Sequence, residues 1–399
     1  MAQTYSFDVE PVARFAGQNA AIRRPRELTF FSYDEDHQLR HDASSLRYYY
    51  PPALPCDLNR GFETFRQLDD SADDHLDGLL DALMLYEKEK GQKLETDVIT
   101  WRGMMTKIMV APYSSFDDWE MNATCFQGTI FIEENHNKKI ASRQEQFSTP
   151  ARPGAMSQDI MSFWGYKFET VSLLPEPWSE TPREYIDSRE DEIVSNYAQY
   201  CSIVRTGFGK VKMIIGGEVD AVMDFKPEDK SQPINWVELK TTAAVTNERA
   251  QVKFERKLLK FWAQSFLLGV PKIVVGYRTS QGILERLEEL DTQAIPETVR
   301  LRGKNLWDGQ TCINFASSFL EWLKGVITEG GVWRIRKREK SPRLEIFKIE
   351  ETGHGDILSR AFVEWRTQGL SGQQQEPATA LNNANGNGTC RNLLEPPCL

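Results

Sequence analysis

The sequence predicts a mixed α/β fold of the α+β type, in which a mixed β-sheet core is flanked by helices. Two observations predict it. Many segments are rich in β-branched and aromatic residues, and a few others have the apolar spacing of amphipathic helices. The strands and helices do not alternate strictly along the chain, so a doubly wound parallel sheet is not expected.

The predicted strands are short runs bounded by turn residues. In chain order they are VITWRG, KIMVAPY, CFQGTIFIEE, KFETVSLL, VKMIIGGEVDAVM, INWVELKTT, PKIVVGYRT, GVWRIRKRE and RLEIFKIE.

Three helices are predicted from apolar spacing and from their end signals. The first covers about residues 73–89, with acids at its start and Gly91 after it. The second begins at Thr181 as N-cap, with Pro182 in the first position, and continues towards Val204. The third covers about residues 247–268 and faces Trp262 inwards.

Composition bounds the domain organisation and the class of partner. The chain has 399 residues, 40% of them hydrophobic, which predicts one large domain over residues 1–370. Residues 371–399 are rich in Gln, Asn, Gly and Pro, and we expect a disordered tail there. There is no long apolar run, signal-peptide pattern or CxxC pair, so we expect an intracellular protein with reduced cysteines and no membrane partner.

The net charge of −10 argues against indiscriminate duplex binding, because that mode depends on broad phosphate neutralisation. It leaves room for a local basic groove that holds one strand end. The stripe Lys253, Lys257, Lys260 and Gln264 on the third helix, opposite Trp262, is either a solvated face or such a groove.

Acidic residues interrupt two segments that otherwise resemble buried strands. In GGEVDAVMDF, the period of two places Glu218 and Asp220 on one face. In WVELKTT it places Glu238 and Lys240 on one face, and the turn-rich KPEDKSQPIN between the segments indicates a hairpin or a neighbouring-strand connection. The acids could be a solvated sheet face, or they could form an oxygen-ligand cage for Mg²⁺ or Mn²⁺.

Several motifs together resemble the decapping and exoribonuclease (DXO) family, and most closely its fungal nuclear branch, whose members pair with a 5′–3′ exoribonuclease. In chain order these motifs are RRPRELTFFS, LRYYYPP, ITWRG, WGYKFET, GGEVDAV, VELK and FWAQSFLLGV. The resemblance covers about residues 24–369. It implies two mixed β-sheets packed together with flanking helices, related to the PD-(D/E)xK nuclease fold.

The resemblance also implies roles for individual residues. The implied metal ligands are Glu169, Glu218, Asp220, Glu238 and the carbonyl of Leu239. Lys240 and Gln264 would act at the reacting phosphate and its water, with Glu218 assisting. Arg102 would bind substrate phosphate, although a lone arginine is more often part of a structural ion pair.

The function implied is a hydrolase for RNA 5′-end quality control that uses one or two Mg²⁺ or Mn²⁺ ions. It would release pyrophosphate from 5′-triphosphate RNA and remove unmethylated guanosine caps. The 5′-monophosphate RNA would then pass to a nuclear 5′–3′ exoribonuclease, which the protein would also stabilise. Three alternatives remain open: intrinsic 5′–3′ exonuclease activity, removal of NAD-type caps, and a mainly non-catalytic stabilising role. Residence in the nucleus is expected from the family branch alone.

Overall fold

The computed structural model of the chain describes residues 3–148 and 156–369. The predicted tail, 371–399, lies outside these residues. Within them the chain forms one sheet of ten strands and one of seven, together with helices that cover and separate the sheets. This is the two-sheet architecture that the resemblance implied.

The ten-stranded sheet has the order β1-β17-β16-β7-β8-β6-β11-β10-β2-β3. Its strands are β1 Thr4–Asp8, β2 Ile22–Tyr33, β3 Leu39–Arg40, β6 Val98–Trp101, β7 Trp119–Phe126, β8 Thr129–Glu134, β10 Gln199–Phe208, β11 Val211–Glu218, β16 Val332–Lys337 and β17 Arg343–Glu350. Strand β6 runs parallel to both of its neighbours, and the other pairs are antiparallel, so this sheet is mixed.

The seven-stranded sheet has the order β5-β15-β14-β13-β12-β4-β9. Its strands are β4 Tyr48–Tyr49, β5 Cys56–Asp57, β9 Leu173–Leu174, β12 Ala221–Val222, β13 Trp236–Ala243, β14 Lys272–Arg278 and β15 Ile283–Asp291. Strands β12 and β13 pair antiparallel, which confirms the neighbouring-strand connection predicted from the turn-rich link.

The α-helices are α1 Asp77–Lys90, α2 Arg102–Val110, α3 His136–Ser148, α4 Gln158–Ser172, α5 Arg183–Ser188, α6 Glu248–Leu268, α7 Ile295–Leu301, α8 Gly309–Val326 and α9 Arg360–Glu364. Helix α6 contacts β10 and β11 of the larger sheet and β13 and β14 of the smaller one. Helix α1 packs on the opposite face of the larger sheet through Leu79, Leu80 and Leu83. Helix α4 packs on the smaller sheet through Phe163, Trp164 and Phe168.

The longest helix follows its sequence signals closely. Asn247 is the N-cap of α6, and its side chain accepts a hydrogen bond from the Ala250 N–H. Gly269 ends the helix in the left-handed region at φ 72°. Trp262 is buried and stacks on Trp307 with ring centroids 5.5 Å apart. The prediction for residues 247–268 is therefore confirmed.

Several of the predicted elements are wrong. CFQGTIFIEE, predicted as one strand, is the end of β7, a turn at residues 127–128 and β8. KIMVAPY, predicted as a strand, forms the last four residues of α2 and the 3-10 turn Ala111–Tyr113. KFETVSLL belongs largely to α4, which begins at the N-cap Ser157 and only then leads into the two-residue β9. In the last two cases an amphipathic helix presents β-branched and aromatic residues to a sheet, and tertiary packing overrides strand propensity.

The second predicted helix is mostly wrong as well. Helix α5 covers only Arg183–Ser188, Pro182 is its N-cap, and residues 199–208 form β10. The Thr181 hydroxyl does not cap the helix but donates to the carbonyls of Glu176 and Pro177.

Two further observations concern membrane-spanning helices and cysteines. Across the residues that the structure describes, none of the helices is both long and apolar enough to span a bilayer. Cys56, Cys125, Cys201 and Cys312 are buried free thiols.

Candidate active site

The acidic segment lies where the chain passes from one sheet to the other. Glu218 is the last residue of β11 in the ten-stranded sheet, and Ala221 begins β12 in the seven-stranded sheet. The sequence predicted one continuous strand with Glu218 and Asp220 on a common face. The structure corrects this, because the strand ends at Glu218 and Asp220 belongs to the link between the sheets.

The two glycines before Glu218 allow the neighbouring segment to approach closely. A Cβ on Gly217 would lie 2.9 Å from the Arg102 Cβ and 2.9 Å from a Leu268 methyl carbon. A Cβ on Gly216 would lie 2.8 Å from the Trp101 ring. Only glycine therefore lets the start of α2 pack against the end of β11, which brings the Arg102 side chain to the acids.

Glu169 reaches the same place from α4. It lines a cavity of 120 Å³ together with Glu218 and Asp220. The predicted strand position of Glu169 was wrong, but its predicted proximity to the other acids is seen in the structure. Two segments that are distant in the sequence, α4 and the end of β11 with its link to β12, thus contribute carboxylates to one cavity.

Glu238 lies on β13, is fully buried and has cations at both carboxylate oxygens. The Arg102 Nη1 donates to its Oε2 at 3.0 Å, and the Lys240 Nζ donates to its Oε1 at 2.7 Å. Burial alone would raise the pKa of Glu238, but the charges of Arg102 and Lys240 outweigh it and lower the pKa to about 2. Burial likewise opposes the charge on Lys240, and Glu238 and Asp220 outweigh it and raise the pKa of Lys240.

The pKa values of the other three acids, Glu169, Glu218 and Asp220, are raised, whereas that of Glu238 is lowered. Burial, the repulsion from Glu238 and that from Glu218 raise the pKa of Asp220 to about 7, although Lys240 and a 2.6 Å bond from the Leu239 N–H oppose the change. Burial and the charges of Asp220 and Glu218 raise the pKa of Glu169 well above its ordinary value. Burial also raises the pKa of Glu218. The cleft therefore holds more negative charge than its two cations balance.

This donor set fits a hard divalent cation, which prefers carboxylate oxygens and would relieve the repulsion. In the described part of the chain, no three of these acids have ligand oxygens within 4.8 Å of one another. An ion bound at Glu238 would either share the carboxylate oxygens of Glu238 with Arg102 and Lys240 or displace these two side chains from them. For Leu239 the structure shows the N–H on Asp220, and the implied role of its carbonyl stays a prediction.

The implied substrate residues are placed differently from one another. Arg102, expected to hold phosphate, is ion-paired with Glu238 and only slightly exposed. Gln264 is half-buried on α6 and lines a neighbouring cleft of 690 Å³ with Lys107 and Lys260, not the cavity of Glu169. Lys260 is exposed and pairs with Asp117 at 3.0 Å. Within the basic stripe, this lysine is therefore partly neutralised.

Sequence reasoning gave no role to Arg47, which lines the cavity of the acids. It directly follows the start of the LRYYYPP motif and pairs with the exposed Glu35 at 3.3 Å. Its presence in that motif was the only available signal. The structure adds that this half-buried guanidinium faces a cavity where a phosphate could lie beside the acids.

A family comparison agrees with this geometry. Residues 23–363 match the model described as RAI1 like PD-(D/E)XK nuclease. The chain belongs to this RAI1-like nuclease family. The match spans both sheets and includes every residue placed in the cleft.

Curated RAI1-like relatives cover nearly the same length. The chain is 60% identical over 363 residues to the decapping nuclease RAI1 of Aspergillus fumigatus, which covers 91% of this chain and 99% of that protein. It is 53% identical over 371 residues to the decapping nuclease RAI1 of Gibberella zeae, covering 93% and 99% respectively. The resemblance inferred from the motifs is thus confirmed.

Solved RAI1-like structures share the fold. Candida albicans Rai1 in complex with pU5 and Mn²⁺ has a TM-score of 0.84 at 30% identity, covering 92% of this chain and all of that one. Schizosaccharomyces pombe Rai1 in complex with 3′-FADP has a TM-score of 0.70 at 33% identity, covering 87% and 100%. The two-sheet fold and its relation to PD-(D/E)XK nucleases are therefore confirmed.

Proposed function

We propose that this protein is a metal-dependent hydrolase of RNA 5′ ends that releases pyrophosphate from 5′-triphosphate RNA and removes unmethylated guanosine caps. The observation that carries the proposal is the carboxylate cluster, which joins two sheets and holds Lys240 and Arg102. The similarity to proteins named decapping nuclease RAI1 supplies the substrate class.

A divalent ion, Mg²⁺ or Mn²⁺, would be held by Glu169, Asp220 and Glu238, with Glu218 and the Leu239 carbonyl assisting. Such an ion polarises a phosphoryl oxygen and lowers the pKa of a bound water. The similar Candida albicans protein was crystallised with Mn²⁺, which supports manganese as one usable ion. We propose one or two ions.

The chain's own residues contribute charge and orientation. Lys240 carries a compact positive charge that Glu238 holds beside the acids, where it can stabilise negative charge on the reacting phosphate. Arg102 presents a planar guanidinium at the same carboxylate, and releasing one of its N–H groups to substrate phosphate suits its geometry. Gln264 lies in the adjoining cleft, from which its amide would orient the water or the RNA.

The RNA strand would leave the site over the α6 side of the molecule. Lys253, Lys257 and Lys260 are exposed there, about one to three turns before Gln264. Their positive charges would guide the phosphate backbone, and binding would weaken steeply with added salt.

The test is product analysis on 5′-triphosphate RNA with Mg²⁺ or Mn²⁺. We expect pyrophosphate release by the native chain and a loss of at least a hundredfold in Asp220→Ala and Glu238→Ala. Asp224→Ala is the matched control, because Asp224 is an exposed acid just beyond β12. Full activity in a folded Asp220→Ala protein would refute the assignment.

A second candidate activity is the removal of nucleotide-type caps such as NAD. It is favoured by the ligands of two similar structures: 3′-NADP⁺ with Scheffersomyces stipitis Rai1 and 3′-FADP with Schizosaccharomyces pombe Rai1. NAD-capped RNA in the same assay would distinguish it, since release of a dinucleotide instead of pyrophosphate would identify this activity. Shortening of 5′-monophosphate RNA would identify the 5′–3′ exonuclease alternative.

We further propose that the protein works in the nucleus and stabilises a 5′–3′ exoribonuclease, as the family branch implies. The two roles are compatible, because a purely structural partner has no physical need for clustered like charges. Thermal melting of the exoribonuclease with and without this protein tests the pairing. An unchanged melting temperature and no co-elution would refute it.

A further inference from the structure

A second group of metal-ligating side chains lies outside the acidic cleft. Asp73 and His75 come from the segment before α1, and Glu133 comes from β8. They line a cavity of 400 Å³, and none of them lines the cavity of Glu169. Glu133 is 2% exposed, whereas Asp73 and His75 are open to the cavity.

The donor atoms are spaced as ligands of a single ion are spaced. The His75 Nδ1 lies 3.0 Å from the Glu133 Oε2 and 3.7 Å from the Asp73 Oδ2, and all three donors lie within 4.8 Å of one another. Donors about 2.1 Å from an ion are separated by about 3.0 Å in octahedral and about 3.4 Å in tetrahedral coordination. Small side-chain shifts would therefore bring the three donors onto one ion.

Asn122 provides an independent observation at the same place. Its Nδ2 donates to the Glu133 Oε1 at 3.1 Å, while its Oδ1 is fully buried without a hydrogen-bond partner. Rotating the amide would place its oxygen against the Glu133 carboxylate and would leave the N–H₂ group unpaired instead. A cation beside Glu133 would satisfy the buried oxygen, which is otherwise costly to bury.

Charge at the cavity is compatible with a cation. Arg334 also lines the cavity, but its guanidinium is ion-paired with Glu120. Asp73 and Glu133 are the acids that contact the His75 ring, and a neutral imidazole can coordinate through Nδ1.

We propose that Asp73, His75, Glu133 and Asn122 bind one divalent transition-metal ion, with Zn²⁺ the best match. One imidazole nitrogen with carboxylate and amide oxygens is a donor set that zinc accepts, and Mn²⁺ is the weaker alternative. The ion has a structural role, because it ties the segment before α1 to β8 across the sheet.

One hydrogen bond also connects His75 with the segment that carries Arg102. The Trp101 Nε1 donates to the His75 carbonyl at 3.0 Å, and Trp101 directly precedes Arg102. His75 has a left-handed φ of 47°, which is uncommon for a residue other than glycine and needs support from its surroundings. A metal bond to its ring would hold this conformation and, through it, the position of Trp101.

The test is Zn²⁺ binding to the full chain carrying Asp220→Asn and Glu169→Gln, which removes the charge of two acids of the cleft. We expect one tightly bound Zn²⁺ per chain, and with Co²⁺ as probe we expect visible d–d absorption bands from the bound ion. Adding His75→Gln should abolish the bands, and Asp73→Asn should weaken Zn²⁺ binding at least tenfold.

Asp74→Asn is the matched control, since Asp74 is an exposed acid in the same segment, and it should leave binding unchanged. Asp73 is also exposed, so its replacement tests the site without endangering the fold. The proposal is overturned if the protein retains no Zn²⁺. It is also overturned if the His75→Gln and Asp73→Asn replacements leave Zn²⁺ binding unchanged. The readout is binding, so the result is independent of the proposed RNA chemistry.

Discussion

Replacing Asp220 by Asn should stabilise the metal-free protein. The pKa of Asp220 is raised from 3.8 to about 7 by burial and by the neighbouring carboxylates. A shift of this size corresponds to about 4 kcal/mol, at about 1.4 kcal/mol per pKa unit. Because Asp220 is only half-buried, water screens part of this energy, and we expect a gain of about 2 kcal/mol in the free energy of unfolding.

The pH dependence follows from the direction of the shift. Between about pH 4 and pH 7 the native state binds more protons at Asp220 than the unfolded state does, so its contribution to stability falls as the pH rises. The difference between Asp220→Asn and the native sequence should therefore be full above pH 7 and vanish below pH 4. A bound ion reverses the effect, because it stabilises the ionised carboxylate.

Urea denaturation, followed by tryptophan fluorescence, measures the free energy of unfolding of the native chain and of Asp220→Asn at pH 4, 6 and 8, in EDTA and in Mn²⁺. In Mn²⁺ the native chain should gain more stability than Asp220→Asn, by the mass action of the ion on the folded state. Asp224→Asn is the control and should behave as the native chain under all conditions. A metal-free Asp220→Asn protein that is less stable at pH 8, or equally changed at pH 4, would refute the reasoning.

Three other replacements have clear expected outcomes. Gly217→Ala introduces a Cβ 2.9 Å from the Arg102 Cβ, so we expect about 1–3 kcal/mol of destabilisation and loss of RNA hydrolysis, measured by urea melting and by the pyrophosphate assay. Arg366→Met removes two charged hydrogen bonds from the fully buried Glu87 carboxylate and should lower the free energy of unfolding by about 3–5 kcal/mol. Adding Glu87→Gln should restore part of the lost stability, because it removes the unpaired buried charge. A double variant that is less stable than Arg366→Met alone would contradict this expectation. Asn247→Ala removes the cap of α6 and should cost about 1 kcal/mol with little effect on metal binding.

The sequence predicted those parts of the site that depend on short-range patterns. The pairing of β12 with β13 and the span of α6 were both accessible, because turn residues, a cap and apolar periodicity lie within the segments themselves. The family resemblance alone grouped Glu169 with the other acids, and the structure shows it lining the same cavity as Glu218 and Asp220.

The remainder depends on tertiary packing. Glu169 was assigned to a strand because β-branched and aromatic residues dominate KFETVSLL, yet the same side chains form the buried face of α4 against the smaller sheet. The pairing of Arg102 with Glu238 joins residues 136 positions apart, and that of His75 with Glu133 joins residues 58 apart. No local period reports such contacts, so the ion-pair partner of Arg102 and the second group of metal-ligating side chains were both beyond reach from sequence.

The passage of the chain from β11 to β12 makes the cleft sensitive to the relative position of the two sheets. Glu218 moves with the larger sheet and Glu238 with the smaller one, and only Val219 and Asp220 connect β11 to β12. Sliding of one layer over the other by an ångström or two would separate the carboxylates while leaving each layer intact. On heating, hydrolysis should therefore cease several degrees before circular dichroism reports any loss of secondary structure.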